Sequence, residues 1–286
     1  MPYFGVHESI NGGFAAAVQR ISANGFDAIQ IFSGNASRWE NKSISPEDAQ
    51  EFQKALREEK IEHTLIHDSY LINIASVDPE KLARSQSRFT DELLRAELLG
   101  VPYLVMHPGS FKDDARENGV ARASQSFDTI FQALPSSNQV TVLVEITAGQ
   151  GSYLGSTFEE IAAIINGSAY ASRLGVCFDT CHAFASGYDF LTRDAYLRVM
   201  DDFDKVLGLD KLMAFHLNDS MKGLASHVDR HTHIGLGALG LEPFRLIVND
   251  PRFKDTPMYL ETPKGENENG EDWDKVNLAT LRALLQ

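Results

Sequence analysis

Short apolar, β-rich segments alternate with longer segments of helical periodicity eight times along the chain. The candidate strands are Tyr3–Val6, Ala28–Phe32, Thr64–Ile66, Tyr103–Met106, Val140–Val144, Leu174–Phe178, Met213–Phe215 and Met258–Leu260. Among the helical segments, Pro79–Leu99 has apolar residues at helical spacing, and Ser156 with Glu159 has the spacing of a helix-starting capping box. This alternation predicts parallel strands with right-handed crossovers, and eight units predict a closed barrel rather than an open sheet.

The length and composition favour one domain. The chain has 286 residues, 43% of them hydrophobic, which is enough for a large core. An α/β barrel of about 250 residues commonly forms a single domain. Because no Pro- or Ser-rich linker divides the sequence, residues 1–286 are predicted to form one (β/α)8 TIM barrel of the α/β class. Its active site is expected at the C-terminal rim of the strands.

Composition also bears on location and partners. No apolar run reaches the roughly 18 residues of a membrane span, so a membrane partner is not expected. The two cysteines, Cys177 and Cys181, are too few for a disulfide scaffold, and the first residues lack a secretory pattern, so the cytoplasm is predicted. The net charge of −14 argues weakly against nucleic acid as a partner.

The residues that end the candidate strands are chemically unusual. In chain order they are His7, Phe32, His67, His107, Glu145, Asp179, His216 and Glu261. Seven of these eight are histidine or carboxylate, and in a barrel all of them converge on one rim. Their convergence predicts a functional site there.

Two loops add the same kinds of side chain. Asp179 and His182 lie three residues apart just past a strand, and Asp229 and His231 lie two apart in a later loop. Imidazoles and carboxylates without convergent cysteines favour zinc, manganese or iron over magnesium or calcium. The nine candidate ligands are His67, His107, Glu145, Asp179, His182, His216, Asp229, His231 and Glu261. Because one zinc takes three or four ligands, nine indicate two or three metals and a hydrolytic, multi-metal site.

The other histidines and a cysteine have ordinary structural interpretations. His63 and His227 are predicted to be surface residues. For His7 and His233, orientation of a metal ligand and simple loop hydrogen bonding both remain open. Cys177 is predicted to be a core thiol. Taken alone, any single candidate ligand is more often structural than functional, but nine ionisable groups crowded together without metal would carry a large desolvation cost.

The segments that carry these residues closely resemble the endonuclease IV family of apurinic/apyrimidinic (AP) endonucleases. The matching segments are HDSYLIN (67–73), HPGS (107–110), EITAGQGS (145–152), DTCHAF (179–184), HLNDS (216–220), VDRH (228–231) and ETP (261–263). They follow one another across nearly the whole chain. The resemblance implies a xylose isomerase-like barrel with three zinc ions. It also implies hydrolysis of the phosphodiester 5′ to an abasic site in duplex DNA, as in base excision repair.

The same resemblance assigns the ligands to three zinc ions. His67, His107 and Glu145 would hold the first, and Glu145 would bridge to a second. The second would also be held by Asp179, His216 and Glu261, and the third by His182, Asp229 and His231. Glu145 is accordingly predicted to be catalytic, by positioning or deprotonating the attacking water.

The resemblance also suggests DNA contacts. Tyr70 matches a DNA-contacting tyrosine of the family, with a packed rim aromatic as the alternative. Arg38 stands one place later than the arginine with which the family probes the gap left by a missing base, and a structural role beside Trp39 is the alternative. Ile146 replaces the usual asparagine, so a hydrogen bond behind the ligands is expected to be lost. The expected partner is double-stranded DNA with abasic sites, and the protein is expected to be a monomer.

A metal-dependent sugar isomerase or epimerase on a related barrel is the alternative function. Such an enzyme would favour an oxygen-rich magnesium or manganese site with a lysine near the metals. The candidate ligands here are rich in histidine, and the matched motifs contain no lysine, although Lys264 follows the last of them. The charge objection to DNA is answered locally, because three divalent ions would outweigh the four ligand carboxylates.

Overall fold

The computed structural model describes residues 2–286, and its strands form a closed barrel. The strands are β1 (Phe4–Glu8), β2 (Ala28–Phe32), β3 (His63–His67), β4 (Tyr103–Met106), β5 (Thr141–Glu145), β6 (Leu174–Asp179), β7 (Leu212–His216), β8 (Asp219–Ser220), β9 (His231–Thr232) and β10 (Met258–Leu260). Eight of them pair in parallel around the barrel in the order β1-β10-β7-β6-β5-β4-β3-β2. The short strands β8 and β9 form a separate antiparallel pair. The predicted (β/α)8 fold class is confirmed.

Helices cover the outside of the barrel. They are α1 (Phe14–Ala23), α2 (Pro46–Glu59), α3 (Pro79–Leu99), α4 (Arg116–Ala133), α5 (Phe158–Asn166), α6 (Thr180–Ser186), α7 (Arg193–Val206), α8 (Glu242–Val248) and α9 (Trp273–Ala283). Short 3-10 turns span Ala171–Arg173, Leu209–Lys211 and Pro251–Phe253. Within residues 2–286, no helix is both long and apolar enough to cross a membrane.

Helix α3 has the bounds predicted from its sequence, and its ends show why. The carboxylate of Asp78 accepts hydrogen bonds from the backbone N–H groups of Glu80 and Lys81, and Pro79 occupies the first helical position. At the other end Gly100 adopts a left-handed conformation with φ of 73°, which glycine reaches without steric cost. Local sequence signals therefore determine both ends of this helix.

The predicted start of α5 was wrong by one residue. Thr157, not Ser156, is the N-cap, and its hydroxyl accepts from the backbone N–H of Glu160 at 3.2 Å. The carboxylate of Glu160 reaches back to the N–H of Ser156 at 3.1 Å. Thr157 and Glu160 are therefore the capping pair of this helix, one residue later than predicted, because the same three-residue spacing occurs twice in succession in the sequence.

Several barrel strands run one or two residues beyond their predicted ends. Strand β1 continues to Glu8 instead of ending at Val6, and β3, β5, β6 and β7 include the polar residue that was expected to follow them. The backbone ladder explains this, since Phe32 pairs with His67 and Asp179 pairs with His216. A polar side chain ends the apolar run of the sequence, but its backbone still pairs with the neighbouring strands.

An apolar layer fills the middle of the barrel. It consists of Ala28, Leu65, Val105, Leu143, Cys177, Ala214 and Tyr259. Tyr259 is accommodated because Gly5 faces it, and a Cβ on Gly5 would lie 2.4 Å from the Tyr259 ring. Cys177 belongs to this layer and is fully buried, which confirms that it is a core thiol.

Candidate metal centre

The polar rim lies directly above the apolar layer because side chains of a strand alternate between the two faces. On seven strands, the residue two places after the member of the apolar layer faces inward and is polar. On β1, the same holds for the residue two places after Gly5. These positions are His7, Gln30, His67, His107, Glu145, Asp179, His216 and Glu261. The β2 member of this rim is therefore Gln30. The sequence analysis assigned Phe32 to the β2 position of the rim. This assignment was wrong, because the rim residue is two places earlier in the strand.

Asp179 and His182 are positioned by an abrupt change from strand to helix. Helix α6 begins at Thr180, immediately after β6, and Asp179 is its N-cap. Oδ1 of Asp179 accepts from the backbone N–H of His182 at 2.7 Å. Its other oxygen, Oδ2, accepts from the amide of Asn218 at 2.7 Å. Both oxygens are thereby held in fixed orientations, and the helix turn places His182 beside them.

Asp229 reaches the rim on the loop between β8 and β9, and His231 is the first residue of β9. The pairing of Ser220 with His231 closes this hairpin. The backbone N–H of Asp229 donates to Oε1 of Gln150 at 3.1 Å, which connects the hairpin to the loop after β5. Tertiary contacts, rather than local sequence, therefore bring this pair to the barrel strands.

The nine predicted ligands come together in three groups. Within each group, one potential ligand atom of every residue lies within 4.8 Å of the others. The groups are His67, His107 and Glu145; Glu145, Asp179, His216 and Glu261; and His182, Asp229 and His231. Glu145 is shared by the first two, which is the arrangement expected for a carboxylate that bridges two metals.

Glu145 lies at the centre of these groups and is fully buried. Its Oε2 lies 3.3 Å from Nε2 of His67 and 3.1 Å from Nε2 of His107. Its Oε1 lies 3.0 Å from Nδ1 of His216 and 3.1 Å from Nδ1 of His182. Oε2 makes no hydrogen bond among the described residues despite its burial. A buried carboxylate oxygen without a hydrogen bond, facing two imidazole nitrogens, fits a bound divalent cation.

Hydrogen bonds behind the histidines fix which nitrogen faces the centre. Nδ1 of His67 donates to the carbonyl of Asp68 at 3.1 Å, and Nδ1 of His182 donates to the carbonyl of Ile146 at 3.0 Å. These bonds leave Nε2 of each ring free to bind metal. Nε2 of His216 donates to Oε1 of Gln30 at 2.7 Å, which leaves Nδ1 free. Such outer contacts orient metal-binding imidazoles and select their tautomer.

The side chain of Ile146 is fully buried in the apolar core. The contact it makes behind the ligands comes from its backbone carbonyl, which accepts from His182. The orientation of His182 therefore does not require a polar side chain at position 146.

Opposite charges stabilise each other in the centre. Burial favours the neutral form of Glu145, but the imidazoles of His216 and His107 outweigh it and hold the pKa of Glu145 well below its ordinary value. Burial opposes protonation of His182, but Asp179 and Asp229 outweigh it and raise its pKa well above the usual range. Such pairs can exchange their protons for divalent cations, and ligand deprotonation accompanies that exchange.

Cys181 lies beside the third group, near Asp179 and His231. Burial raises the pKa of this thiol to about 12. Its Sγ donates to the carbonyl of Arg230 at 3.6 Å. The thiol is therefore protonated near neutral pH, and nitrogen and oxygen donors define the centre.

The comparisons with known proteins agree with this geometry. A family model described as xylose isomerase-like TIM barrel matches residues 18–284. A protein of Geobacter sp. strain M21 named Probable endonuclease 4 is 50% identical over 288 residues, which cover 100% of both chains. The chain belongs to the endonuclease IV family. This membership confirms the resemblance found in the sequence motifs and the predicted class of enzyme, an endonuclease.

Other relatives support the same family. A protein of Chloroflexus aurantiacus strain J-10-fl, also named Probable endonuclease 4, is 44% identical over 100% of this chain and 99% of its own. The crystal structure of endonuclease IV from Thermus thermophilus matches with a TM-score of 0.85 and 36% identity, covering 99% of this chain and 98% of that one. A D-psicose 3-epimerase from Clostridium cellulolyticum H10 matches at 0.69 with 14% identity, a likeness that shows the barrel fold alone.

The remaining histidines of this endonuclease IV family member lie outside the three groups. His63 is half-buried at the opposite end of β3, where its ring contacts that of Tyr3 at 3.9 Å, so it is less exposed than predicted. His227 is exposed, as predicted. His233 stacks on Trp273 with ring centroids 3.6 Å apart, which indicates a structural role. His7 instead joins the rim through its contact with Gln30.

Two cavities open above the three candidate metal-binding groups, called the metal groups below, and Tyr70 borders both. The first, of about 310 Å³, is called the Asn73 cavity here and lies between the loops after β3, β4 and β5. The second, of about 420 Å³, is called the Lys264 cavity and is lined by His7, Glu261 and Lys264. Nζ of Lys264 forms a 2.6 Å ion pair with Asp274. The lysine that a sugar isomerase would need is therefore already paired with a carboxylate.

Tyr70 and Arg38 are both exposed on loops at the rim. The side chain of Tyr70 is 70% exposed, and its ring contacts Phe32 and His67, at 5.2 Å and 6.1 Å between ring centroids. Arg38 lies on the loop between β2 and α2, in a shallow pocket separate from the two cavities above the ligands. The ring of Trp39 contacts the guanidinium of Arg84 at 4.3 Å. Arg84, rather than Arg38, is therefore the structural partner of Trp39.

Gln30 is the rim residue that sequence analysis missed. Its side-chain amide donates to Glu261 and to Nδ1 of His7, the latter at 2.8 Å, while its carbonyl accepts from His216. All of its hydrogen-bonding groups thus hold candidate metal ligands or a neighbour of one. The alternation that begins at Ala28 was the available signal, since it places residue 30 on the inward face.

Replacement of Gln30 by leucine is expected to weaken binding of a metal at His216 and Glu261, two of the candidate ligands. An apolar side chain of similar size cannot fix the His216 tautomer, and loss of such outer contacts typically costs about 10–100-fold in metal affinity or activity. Competition with a chromophoric chelator measures the affinity directly. Gln139→Leu, at an exposed glutamine just before β5, is the control. Equal metal affinities of the two variants would show that Gln30 does not orient these ligands.

Proposed function

We propose that this protein is a zinc-dependent AP endonuclease. It hydrolyses the phosphodiester 5′ to an abasic site in duplex DNA and leaves 3′-hydroxyl and 5′-deoxyribose phosphate ends, as a step of base excision repair. The observation that carries the proposal is the clustering of nine imidazole and carboxylate donors into three groups, two of which share Glu145, within a family of endonucleases.

Three zinc ions per chain fit this donor set. His67, His107 and Glu145 would hold one ion; Glu145, Asp179, His216 and Glu261 a second; and His182, Asp229 and His231 a third. Nitrogen and oxygen donors in groups of three or four are typical of catalytic zinc sites, which keep a position open for water or substrate. When bound, such ions supply Lewis acidity that activates water and stabilises charge on phosphate oxygens.

Glu145 is the residue proposed to act on the attacking water. Its carboxylate is fully buried, and its pKa lies well below the ordinary value, so it is ionised at neutral pH. An ionised carboxylate in this position can orient a water molecule and accept its proton at Oε1 or Oε2. The buried rings of His67, His182 and His216 shield it from bulk solvent.

The third group faces the solvent more than the others do. The side chain of Asp229 is 43% exposed, whereas those of Asp179 and His216 are fully buried. This exposed edge of the centre is where a DNA strand would enter. The leaving 3′-oxygen is accordingly proposed to face His182, Asp229 and His231.

Recognition of the abasic nucleotide is proposed to depend on its missing base. Rotating a nucleotide out of a duplex costs stacking energy, and that cost is smaller when no base is present. The Asn73 cavity, of about 310 Å³, lies beside His67 and His107 and can receive the exposed sugar. Tyr70 stands at its edge, where an aromatic ring can occupy space vacated in the DNA stack.

The protein is also proposed to act as a monomer in the cytoplasm. All nine candidate ligands come from one chain, so a partner chain is not needed to complete the centre. Analytical ultracentrifugation of the metal-loaded protein, with and without an abasic duplex, tests the monomer directly. Affinity for DNA is expected to be modest, since the net charge of −14 opposes binding, and to fall as salt screens the attraction between phosphates and the cationic groups of the rim.

A duplex with one central abasic site tests the proposed function. Metal-loaded protein is expected to cut the abasic strand once and to leave a 3′-hydroxyl that a DNA polymerase extends directly. Chelated protein and an intact duplex of the same sequence should give no cut. Failure of fully metal-loaded protein to cut would overturn the proposal, and turnover of ketose sugars by the same preparation would favour an epimerase.

Replacement of Tyr70 by alanine is expected to weaken binding to abasic DNA by about 1–3 kcal/mol, the size of a lost stacking contact. The exposed ring has few contacts within the protein, so the fold and the metal content should not change. Fluorescence anisotropy with a labelled abasic duplex gives the affinity, and elemental analysis gives the metal content. An unchanged affinity would show that Tyr70 does not contact the DNA.

Replacement of Arg38 by alanine tests whether this residue probes the gap left by the missing base. If it does, affinity for the abasic duplex should fall about as much as in Tyr70→Ala, while affinity for intact duplex should change less. Arg57→Ala, near the other end of α2, removes the same charge from a different part of the surface. Equal losses in the two arginine variants would indicate general electrostatic attraction instead.

A further inference from the structure

Two aromatic side chains in residues 2–286 are strongly exposed to solvent, and they border the same cavity. They are Tyr70, at 70% exposure, and Tyr153, at 46%. The other tyrosines, the phenylalanines and both tryptophans of this range are buried or half-buried. Large exposed aromatic rings are typical of binding surfaces, and two at one cavity indicate a shared ligand.

The two tyrosines approach the Asn73 cavity from different sides. Tyr70 lies on the loop after β3, and Tyr153 lies on the loop after β5. Strand β4 lies between β3 and β5 in the barrel, and its loop contributes Gly109 and Ser110 to the cavity. His67, His107 and His182 also line the cavity, so a ligand between the tyrosines would reach the metal groups.

The backbone around Tyr153 is held firmly in place. Tyr153 and Ser110 form an isolated antiparallel bridge between the loops after β5 and β4. On either side of it, the N–H of Phe111 donates to the carbonyl of Ser152 at 3.1 Å, and the N–H of Leu154 donates to the carbonyl of Gly109 at 2.8 Å. A ring presented from a fixed backbone loses little entropy on binding, which favours its use as a contact.

The chemistry of the cavity points to a nucleobase as the partner of this ring. A phenol ring offers an apolar face, and every base can stack on such a face whatever its sequence. The sugar and phosphate of an abasic nucleotide have no face to stack, so they do not explain a second exposed ring. A base that flanks the abasic nucleotide in the cut strand provides one.

We infer that Tyr153 is a second DNA-contacting residue, which stacks on a base adjacent to the abasic nucleotide, across the cavity from Tyr70. The inference depends on the proposed function, since it takes the abasic strand as the substrate. With one ring on each side, the strand is held at two points, and the phosphodiester between them is directed to the metal groups. Tyr153 thereby contributes to substrate affinity and not to the chemical step.

The test measures kcat and KM for an abasic duplex with the metal-loaded protein. Tyr153→Ala is expected to raise KM by about 5–150-fold, the range of a lost base–aromatic contact, with kcat within about twofold of the original value. Tyr153→Phe keeps the ring and should restore most of the affinity. Tyr153→Leu keeps an apolar side chain of substantial size but no ring, and it serves if the alanine variant folds poorly. Leu197→Ala, at an exposed residue of α7, is the control.

A fluorescent base provides the direct readout. With 2-aminopurine placed next to the abasic site, binding of the unaltered protein should quench the fluorescence through stacking on Tyr153. The alanine and leucine variants should lose that quenching, whereas Tyr70→Ala should retain part of it.

If the unaltered protein cuts the duplex but Tyr153→Ala has an unchanged KM and full quenching, the inference fails while the proposed function stands. If Tyr153→Phe is as weak as Tyr153→Ala, the contact is made by the hydroxyl group and stacking is excluded. If the unaltered protein does not cut the abasic duplex, the proposed function itself fails.

Discussion

Replacement of Glu145 by glutamine is expected to lower the rate of cleavage by about 10²–10⁴-fold, the usual contribution of a general base. Glutamine has the same shape but carries no negative charge and cannot accept the proton of the attacking water. Glu145 also faces four imidazoles, at 3.0–3.3 Å from each, so the substitution removes the central counter-charge of the site. Single-turnover cleavage of an abasic duplex, at saturating metal, measures the rate of the chemical step.

The fold should survive this substitution, because the side chain keeps its volume within a packed rim. Circular dichroism and thermal unfolding check that point. Glu97→Gln is a matched control, since this carboxylate lies at the opposite end of the barrel, where it accepts from Asn138 at 3.2 Å. Its rate should equal that of the unaltered protein. Near-normal cleavage by Glu145→Gln with a full complement of metal would exclude Glu145 from the proton transfer.

Six of the nine candidate ligands could be predicted from strand geometry, because each ends or directly follows a barrel strand. In a parallel barrel every strand presents its next inward-facing position to the same rim, so residues far apart in sequence become neighbours. Glu145 and Glu261, for example, are 116 residues apart yet belong to one group. A histidine or carboxylate at the end of an apolar run is easily recognised, and this signal was repeated on seven strands.

Gln30 was not predicted, because that signal requires a polar residue at the end of an apolar run. It lies inside β2, with two further residues of the strand after it, so the apolar run does not end there. An amide also has no affinity for zinc that would single it out in a sequence. Its role follows only from its three partners, and these come from β1, the end of β7 and the residue after β10.

Contacts between a loop and a distant helix could likewise not be predicted from the sequence. The ring of Trp39 was expected to neighbour Arg38, but Arg84 at the start of α3 covers it instead. The buried guanidinium of Arg95, further along α3, donates to the hydroxyl of Ser33 at 2.8 Å and to the carbonyl of Lys42 at 2.9 Å. Helix α3 therefore holds the loop that carries Arg38, a relation that no local pattern in that loop indicates.

Removal of the metals is expected to abolish cleavage and to lower the thermal stability of the protein. Elemental analysis of gently purified protein should find close to three metal ions per chain, dominated by zinc, because three donor groups of suitable size are present. An ion present at about 1,000 times its dissociation constant stabilises the folded state by about 4 kcal/mol if it does not bind the unfolded chain. Three such ions would make Tm depend strongly on chelator.

Metal affinity, and the stability that metal supplies, are expected to depend on pH. Burial opposes protonation of His67 and His182, but neighbouring carboxylates outweigh it and raise their pKa values well above the ordinary value in the metal-free site. Protons therefore compete with metal, and the competition strengthens as pH falls through and below those raised values, so metal affinity should decrease toward acid pH. The stabilisation supplied by metal should be largest in neutral to alkaline solution.

Titration of metal content against pH, paired with Tm at each pH, measures both effects. At most one tightly bound ion, or a Tm that does not respond to chelator, would contradict a three-metal centre, because the buried carboxylates would then be stabilised by the imidazoles alone.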